Sequence, residues 1–113
     1  MEDCLFCKFV SGEIAPDVVY QDDLVLAFRD INPQAPTHVL IVPKQHTKDA
    51  STVEPSDGPA LAAITNAART IAAQEGLPGG YRLVANVGPD AGQSVFHLHV
   101  HMLGGRSLAW PPG

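Results

Sequence analysis

Residues 97–103 read His-Leu-His-Val-His-Met-Leu, with polar and apolar positions alternating up to the final pair. A period of two is the signature of a strand with one buried face. The predicted strand covers "SVFHLHVHML", residues 94–103, and turns Leu98, Val100 and Met102 towards a core. "DVVYQDDLVLAFRD", residues 17–30, reads as two short β runs around Asp22-Asp23, a hairpin pattern. "THVLIVPK", residues 37–44, is a third run of branched apolar residues, stopped by Pro43. "YRLVANVG", residues 81–88, is another strand, followed by the turn-rich "GPDAGQ".

The period changes between residues 59 and 75. Leu61, Ile64, Ala68, Ile71 and Ala72 form an apolar stripe at helical spacing. Ser56 or Asp57 can cap this helix, Pro59 suits its first turn, and Gly76 and Pro78 end it. The order is therefore three strands, the main helix, then two strands. Consecutive strands with tight links predict an antiparallel sheet of the α+β class.

Composition narrows the picture. The 113 residues suit one domain, residues 1–113, with one modest core. No apolar run approaches the roughly 20 residues of a membrane span. The start, "MEDCLFCKFV", is acidic where a signal peptide is basic, so the expected location is the cytoplasm. A net charge of -5 with seven Lys and Arg argues against a nucleic-acid polymer as partner. A small anion held by a few local donors stays open.

The histidines carry the chemistry. The chain has five, and three of them fall within five consecutive positions. On a strand His97, His99 and His101 share one face at steps of roughly 6.6 Å. A solvated polar face would use Thr, Lys or Glu more readily. A single metal bound by all three is poorly served, because the first and third lie roughly 13 Å apart. A neutral imidazole at pH 7 has one nitrogen free to attack, and its neighbours can orient it or move a proton.

"HLHVHML" matches the histidine triad pattern, His-φ-His-φ-His-φ-φ with φ apolar. Together with "FRDINPQAPTHVLIVPKQH", "GYRLVANVG", "AGQSVFHLHVHMLGGR" and the ending "AWPPG", it makes the chain resemble the Hint branch of the histidine triad superfamily from Cys4 to Gly113. The resemblance implies a five-stranded antiparallel sheet with a main helix and a short N-terminal helix. It also implies a hydrolase of purine nucleoside phosphoramidates or acyl nucleotides, with His99 as nucleophile and a covalent nucleotidyl-histidine on the way to the monophosphate. His101 is then expected at the phosphate, with His97 and His38 near it. Gly92 lets the backbone approach the phosphate, and Gln93 and Ser94 offer donors. Asp30 and Ile31 fall at the ribose, with Asn86 close by. Phe6, Phe9, Ile14, Phe28 and Leu40 resemble the purine slot; plain core is the alternative for these five, and a turn role for Asp30.

Cys4-x-x-Cys7 is the only cysteine pair. By spacing it is a metal half-site, a redox pair or two idle thiols. The resemblance implies structural zinc held by Cys4, Cys7, His46 and His97. It also implies a homodimer in which Trp110 reaches the partner's site. Seven alanines between Ala60 and Ala73, too many for one stripe, give the helix a second close-packing face. Competing functions are a dinucleoside polyphosphate hydrolase or phosphorylase, and a nucleotide-binding scaffold with incidental catalysis.

Overall fold

The structure, a computed structural model, describes residues 3–113. Helix α1 (Leu5–Ser11) precedes strands β1 (Val18–Gln21), β2 (Val25–Arg29) and β3 (Thr37–Pro43). The long helix α2 (Gly58–Glu75) follows, then β4 (Tyr81–Val84) and β5 (Val100–Gly104). The strands form one antiparallel sheet in the order β1-β2-β3-β5-β4. The α+β architecture is the one the periodicities predict. No helix among the described residues is long and apolar enough to cross a membrane.

The first hairpin turns on Asp22. Its carboxylate accepts from the backbone N–H groups of Leu24 and Val25 at 2.8 and 2.9 Å, which closes the turn and fixes the register. β2 and β3 are buried on both faces. Val25, Ala27, Val39, Ile41 and Met102 point to one side and pack with Ile64, Ala67, Ala68 and Ile71 of α2. Leu26, Phe28, Leu40 and Val42 point to the other side and pack with Phe6. The sheet thus has a face covered by α2 and a face partly covered by the short α1, which leaves room there for a site.

Several sequence expectations change. Leu61 does not join the α2 core stripe; it is 38% exposed, and Ala67 is buried with Ile64, Ala68 and Ile71 instead. The strand expected over residues 94–103 is regular only from Val100. The ladder has a physical end there. Pro43 has no N–H to give, its carbonyl accepts from the His97 ring at 2.8 Å, and the Leu98 N–H is diverted to the Thr47 carbonyl at 2.6 Å. The chain still alternates: Leu98, Val100 and Met102 meet the α2 cluster as expected. At the N-terminus of α2, Ser56 and Asp57 lie in a 3₁₀ turn, and the Asp57 carboxylate accepts from Glu54 rather than capping α2.

Candidate active site and metal centre

Two clusters of ligand-type side chains occur among the described residues, and the histidine segment joins them. One comprises Cys4, Cys7, His46 and His97; the other Asp30, His38 and His101.

Local structure sets up the first. Cys4 caps α1, its sulfur accepting the Cys7 N–H at 3.2 Å, so both thiols face the same way. His97 is fully buried and donates from Nε2 to the Pro43 carbonyl at 2.8 Å. That bond fixes its tautomer and leaves the Nδ1 lone pair facing the thiols. Nδ1 of His97 lies 3.2 Å from Cys4 Sγ, 3.4 Å from Cys7 Sγ and 3.2 Å from Nδ1 of His46, which is 3.3 Å from Cys7 Sγ. A tetrahedral zinc with ordinary bond lengths holds sulfur and nitrogen ligands about 3.5 Å apart and two nitrogens about 3.3 Å apart. The four distances lie close to those edges, and all four ligand atoms fall within 4.8 Å of one another. Burial, and then the neighbouring Cys4 thiol, push the Cys7 thiol up to about 11. A dication is the charge such a pair needs to act as thiolates.

The second cluster sits on the α1 face of the sheet. Leu40 pairs with His101 across β3 and β5, so His38, two residues earlier, is the diagonal neighbour of His101. The backbone N–H of Gln34 donates to His38 Nδ1 at 3.0 Å. The proton of neutral His38 is therefore on Nε2, which donates to His101 Nδ1 at 2.9 Å and lies 3.4 Å from an Asp30 oxygen. With its Nδ1 accepting, His101 carries its proton on Nε2. Burial lowers the pKa of both, and for His101 the adjacent His99 and His38 push it further, to about 4. His101 is a neutral donor at pH 7.

His99 lies between the clusters. Its Nδ1 donates to the backbone carbonyl of His97 at 2.8 Å, so in the neutral imidazole Nε2 carries the lone pair. Its ring centroid is 5.1 Å from that of His101 and 5.1 Å from that of Phe6, whose edge meets it at 81°. Acceptors that cannot change role, two carbonyls, and a donor that cannot, one amide, thus settle the state of the whole histidine chain.

Beside these rings is a cavity of about 280 Å³ lined by Phe9, Ile14, Phe28, Asp30, Ile31 and Leu40, among others. Leu40 ties it to His101 through their cross-strand pairing. A larger recess of about 480 Å³ lies away from the triad, between Gly76–Gly80 and Gly105–Ser107. We regard the smaller cavity as the site because the histidine cluster adjoins it.

The structure separates the expected wall residues. Phe6 is not on the lining; it is buried and backs His97 and His99. Leu5, Ala15 and Pro16 line the cavity as well, and the sequence offered no signal for them, since their place depends on how α1 lies against β2. Gln93 requires a correction. Its side chain is not free for a ligand: Oε1 accepts from Gly88, and the amide donates to the Lys48 and Val95 carbonyls at 3.1 and 3.2 Å. It holds the loop together, because a buried glutamine must satisfy its own groups first. Gly92, at φ +92°, closes the 3₁₀ turn 89–91 in a conformation that favours glycine, and Ser94 beyond it is exposed. Asn86 is half-buried just past β4. Trp110 is 81% exposed.

The family model for the HIT domain matches residues 11–108. A Zea mays protein named "14 kDa zinc-binding protein" is 52% identical over 113 residues, covering 96% of this chain and 87% of that protein. A protein of Arabidopsis thaliana named "Adenylylsulfatase HINT1" is 47% identical over 111 residues, covering 96% of this chain and 76% of that one. The crystal structure of a HIT family hydrolase from Legionella pneumophila Philadelphia 1 is 53% identical, superimposes with a TM-score of 0.95, and covers 98% of this chain and 100% of its own.

Proposed function

The chain belongs to the HIT domain family, in its Hint branch, and from that premise we propose that it hydrolyses purine nucleoside phosphoramidates or acyl nucleotides to the nucleoside monophosphate. The single observation that carries this reading is the tautomer chain. His99 presents a bare Nε2 while His101, one strand step away, presents an Nε2–H. A nucleophile and a donor stand side by side, each locked by its other nitrogen.

In this reading the base occupies the cavity between Phe9, Phe28 and Leu40, and the Asp30 carboxylate accepts from the ribose hydroxyls beside Ile31. Asn86 and the turn at Gly92 and Ser94 adjoin the phosphate. His99 Nε2 attacks the α-phosphorus. The bond to the leaving group breaks, its electron pair departing with the amine or acyl oxygen, and an amine takes its proton from water. His101 Nε2–H donates to a phosphoryl oxygen as charge grows there. Water then attacks phosphorus and gives up a proton to the hydroxide left by the first step, or to solvent where an acyl oxygen departed; the P–N bond to His99 breaks, and the electron pair returns to Nε2. His38 and Asp30 keep His101 in the donating tautomer. The relative named as an adenylylsulfatase supports this class, because adenylyl sulfate is likewise an adenylyl group on a displaceable oxyanion.

Cys4, Cys7, His46 and His97 are the residues that would hold zinc. The ion would supply the charge that keeps both thiols as thiolates, and it would lock His97. The donor set and its spacing support zinc, as does the name of the Zea mays relative.

The test is His99→Gly assayed on adenosine phosphoramidate. Turnover is expected to fall by several orders of magnitude while binding of adenosine monophosphate persists, since the cavity and Asp30 remain. Undiminished turnover would remove His99 from the mechanism.

A further inference from the structure

We propose that the Cys4–Cys7–His46–His97 cluster and the nucleotide cavity are one coupled unit, so that a divalent cation in the cluster tightens nucleotide binding and nucleotide tightens the cation. This rests on the nucleotide reading of the cavity.

Two physical paths join the sites. The first is α1. It has seven residues, far below the length at which a helix persists alone, so its position depends on what anchors it. At its N-terminus Cys4 and Cys7 enter the cluster. On its other faces Leu5 and Phe9 line the cavity, and the Phe6 ring meets both His97 and His99. A cation that draws the two thiols onto His46 and His97 therefore sets two walls of the base slot and the ring behind the nucleophile.

The second path is His97 itself. Its ring is committed at both nitrogens, Nε2 to Pro43 and Nδ1 to the cluster, while its own carbonyl accepts the His99 Nδ1–H. A cation that fixes the ring fixes the residue whose carbonyl sets the nucleophile's tautomer. The apolar cluster of Phe6, Leu26, Phe28, Leu40 and Val42, with Val10 packed on it, also holds α1. The coupling is therefore graded, at about tenfold, within the range common for linked sites. Linkage makes it reciprocal: each ligand must change the other's affinity by the same factor.

The experiment uses the full-length, zinc-loaded chain and two probes, adenosine monophosphate and zinc. Calorimetry gives the monophosphate Kd before and after chelation, and a metal indicator gives the zinc Kd with and without the monophosphate. Both are expected to shift about tenfold and by equal factors. The imidazole ¹⁵N spectrum should show the His99 Nδ1–H of the loaded protein broadened or lost on chelation, which a merely structural ion would not cause. An unchanged monophosphate Kd overturns the coupling. No binding to the loaded protein overturns the nucleotide reading, and the coupling with it. If chelation also strips hydrogen-exchange protection from Ile41 and Ile71, the ion is a determinant of global folding and the local coupling is overturned. Phe6→Leu keeps all four ligands but cuts the α1 path. It should bind one zinc with a coupling factor clearly below that of the parent chain, the His97 path remaining, and a full factor in that variant would refute the route through α1.

Discussion

At the scale of single residues, the proposed mechanism depends on which nitrogen of each histidine carries a proton. His101 gives this a measurable form. Its folded pKa, about 4, lies below the ordinary value of 6.5 because burial, then His99 and His38, disfavour the imidazolium. A group whose folded pKa is lowered contributes its full stability above the unfolded value. That contribution is lost as pH falls, because the unfolded chain takes up a proton the folded one resists. The window runs from pH 6.5 down to about 4. The thermal midpoint of the protein should fall across it, and that of His101→Asn should fall less steeply. Both proteins keep the same metal ligands, and burial still lowers the pKa of His38, so the difference between the two slopes reports His101 together with its coupling to His38. Parallel slopes would mean that the proton balance at His101 is wrong. The sequence made the histidines themselves legible, but not their tautomers. Those are set by the Pro43 and His97 carbonyls and the Gln34 amide, contacts that exist only after folding. Gln93 shows the same limit: its partner Lys48 is 45 residues away.

At the scale of elements, local pattern was a sound guide where burial is one-sided and weaker where a long-range partner intervenes. The Asp22 hairpin, β3 and α2 stand close to where the periodicities put them. The early end of β5 was hidden because it follows from a proline on a neighbouring strand. Leu61 was hidden because helical spacing alone cannot say where the sheet beneath α2 stops. This difference within one helix is testable. Ile71→Ala empties a fully buried position and should cost about 3 kcal/mol. Leu61→Ala, one turn from the N-terminus of α2, should cost less than about 1 kcal/mol. Urea denaturation with linear extrapolation measures both. Equal costs would show that the α2 face is wrongly assigned or that Leu61 is buried by another chain.

At the scale of the whole molecule, several features point outward. β4 is an edge strand whose Tyr81 and Leu83 are exposed, and Ala62 and Ala73 of α2 face solvent while Ala67 and Ala68 do not. Pairing two copies through β4 and α2 would cover both the edge and these side chains. We therefore expect twice the 12.0 kDa chain mass in sedimentation equilibrium at micromolar concentration. We also expect Trp110→Ala to alter discrimination among leaving groups more than nucleoside affinity. A single-chain mass would remove both expectations. The central claim, that His99 takes the nucleotidyl group before water does, has a direct measurement in the stereochemistry at phosphorus. Turnover of a phosphoramidate made chiral at phosphorus with oxygen isotopes should give monophosphate with net retention, since two in-line displacements each invert. Net inversion would mean that water attacks the substrate directly and that His99 is not a nucleophile.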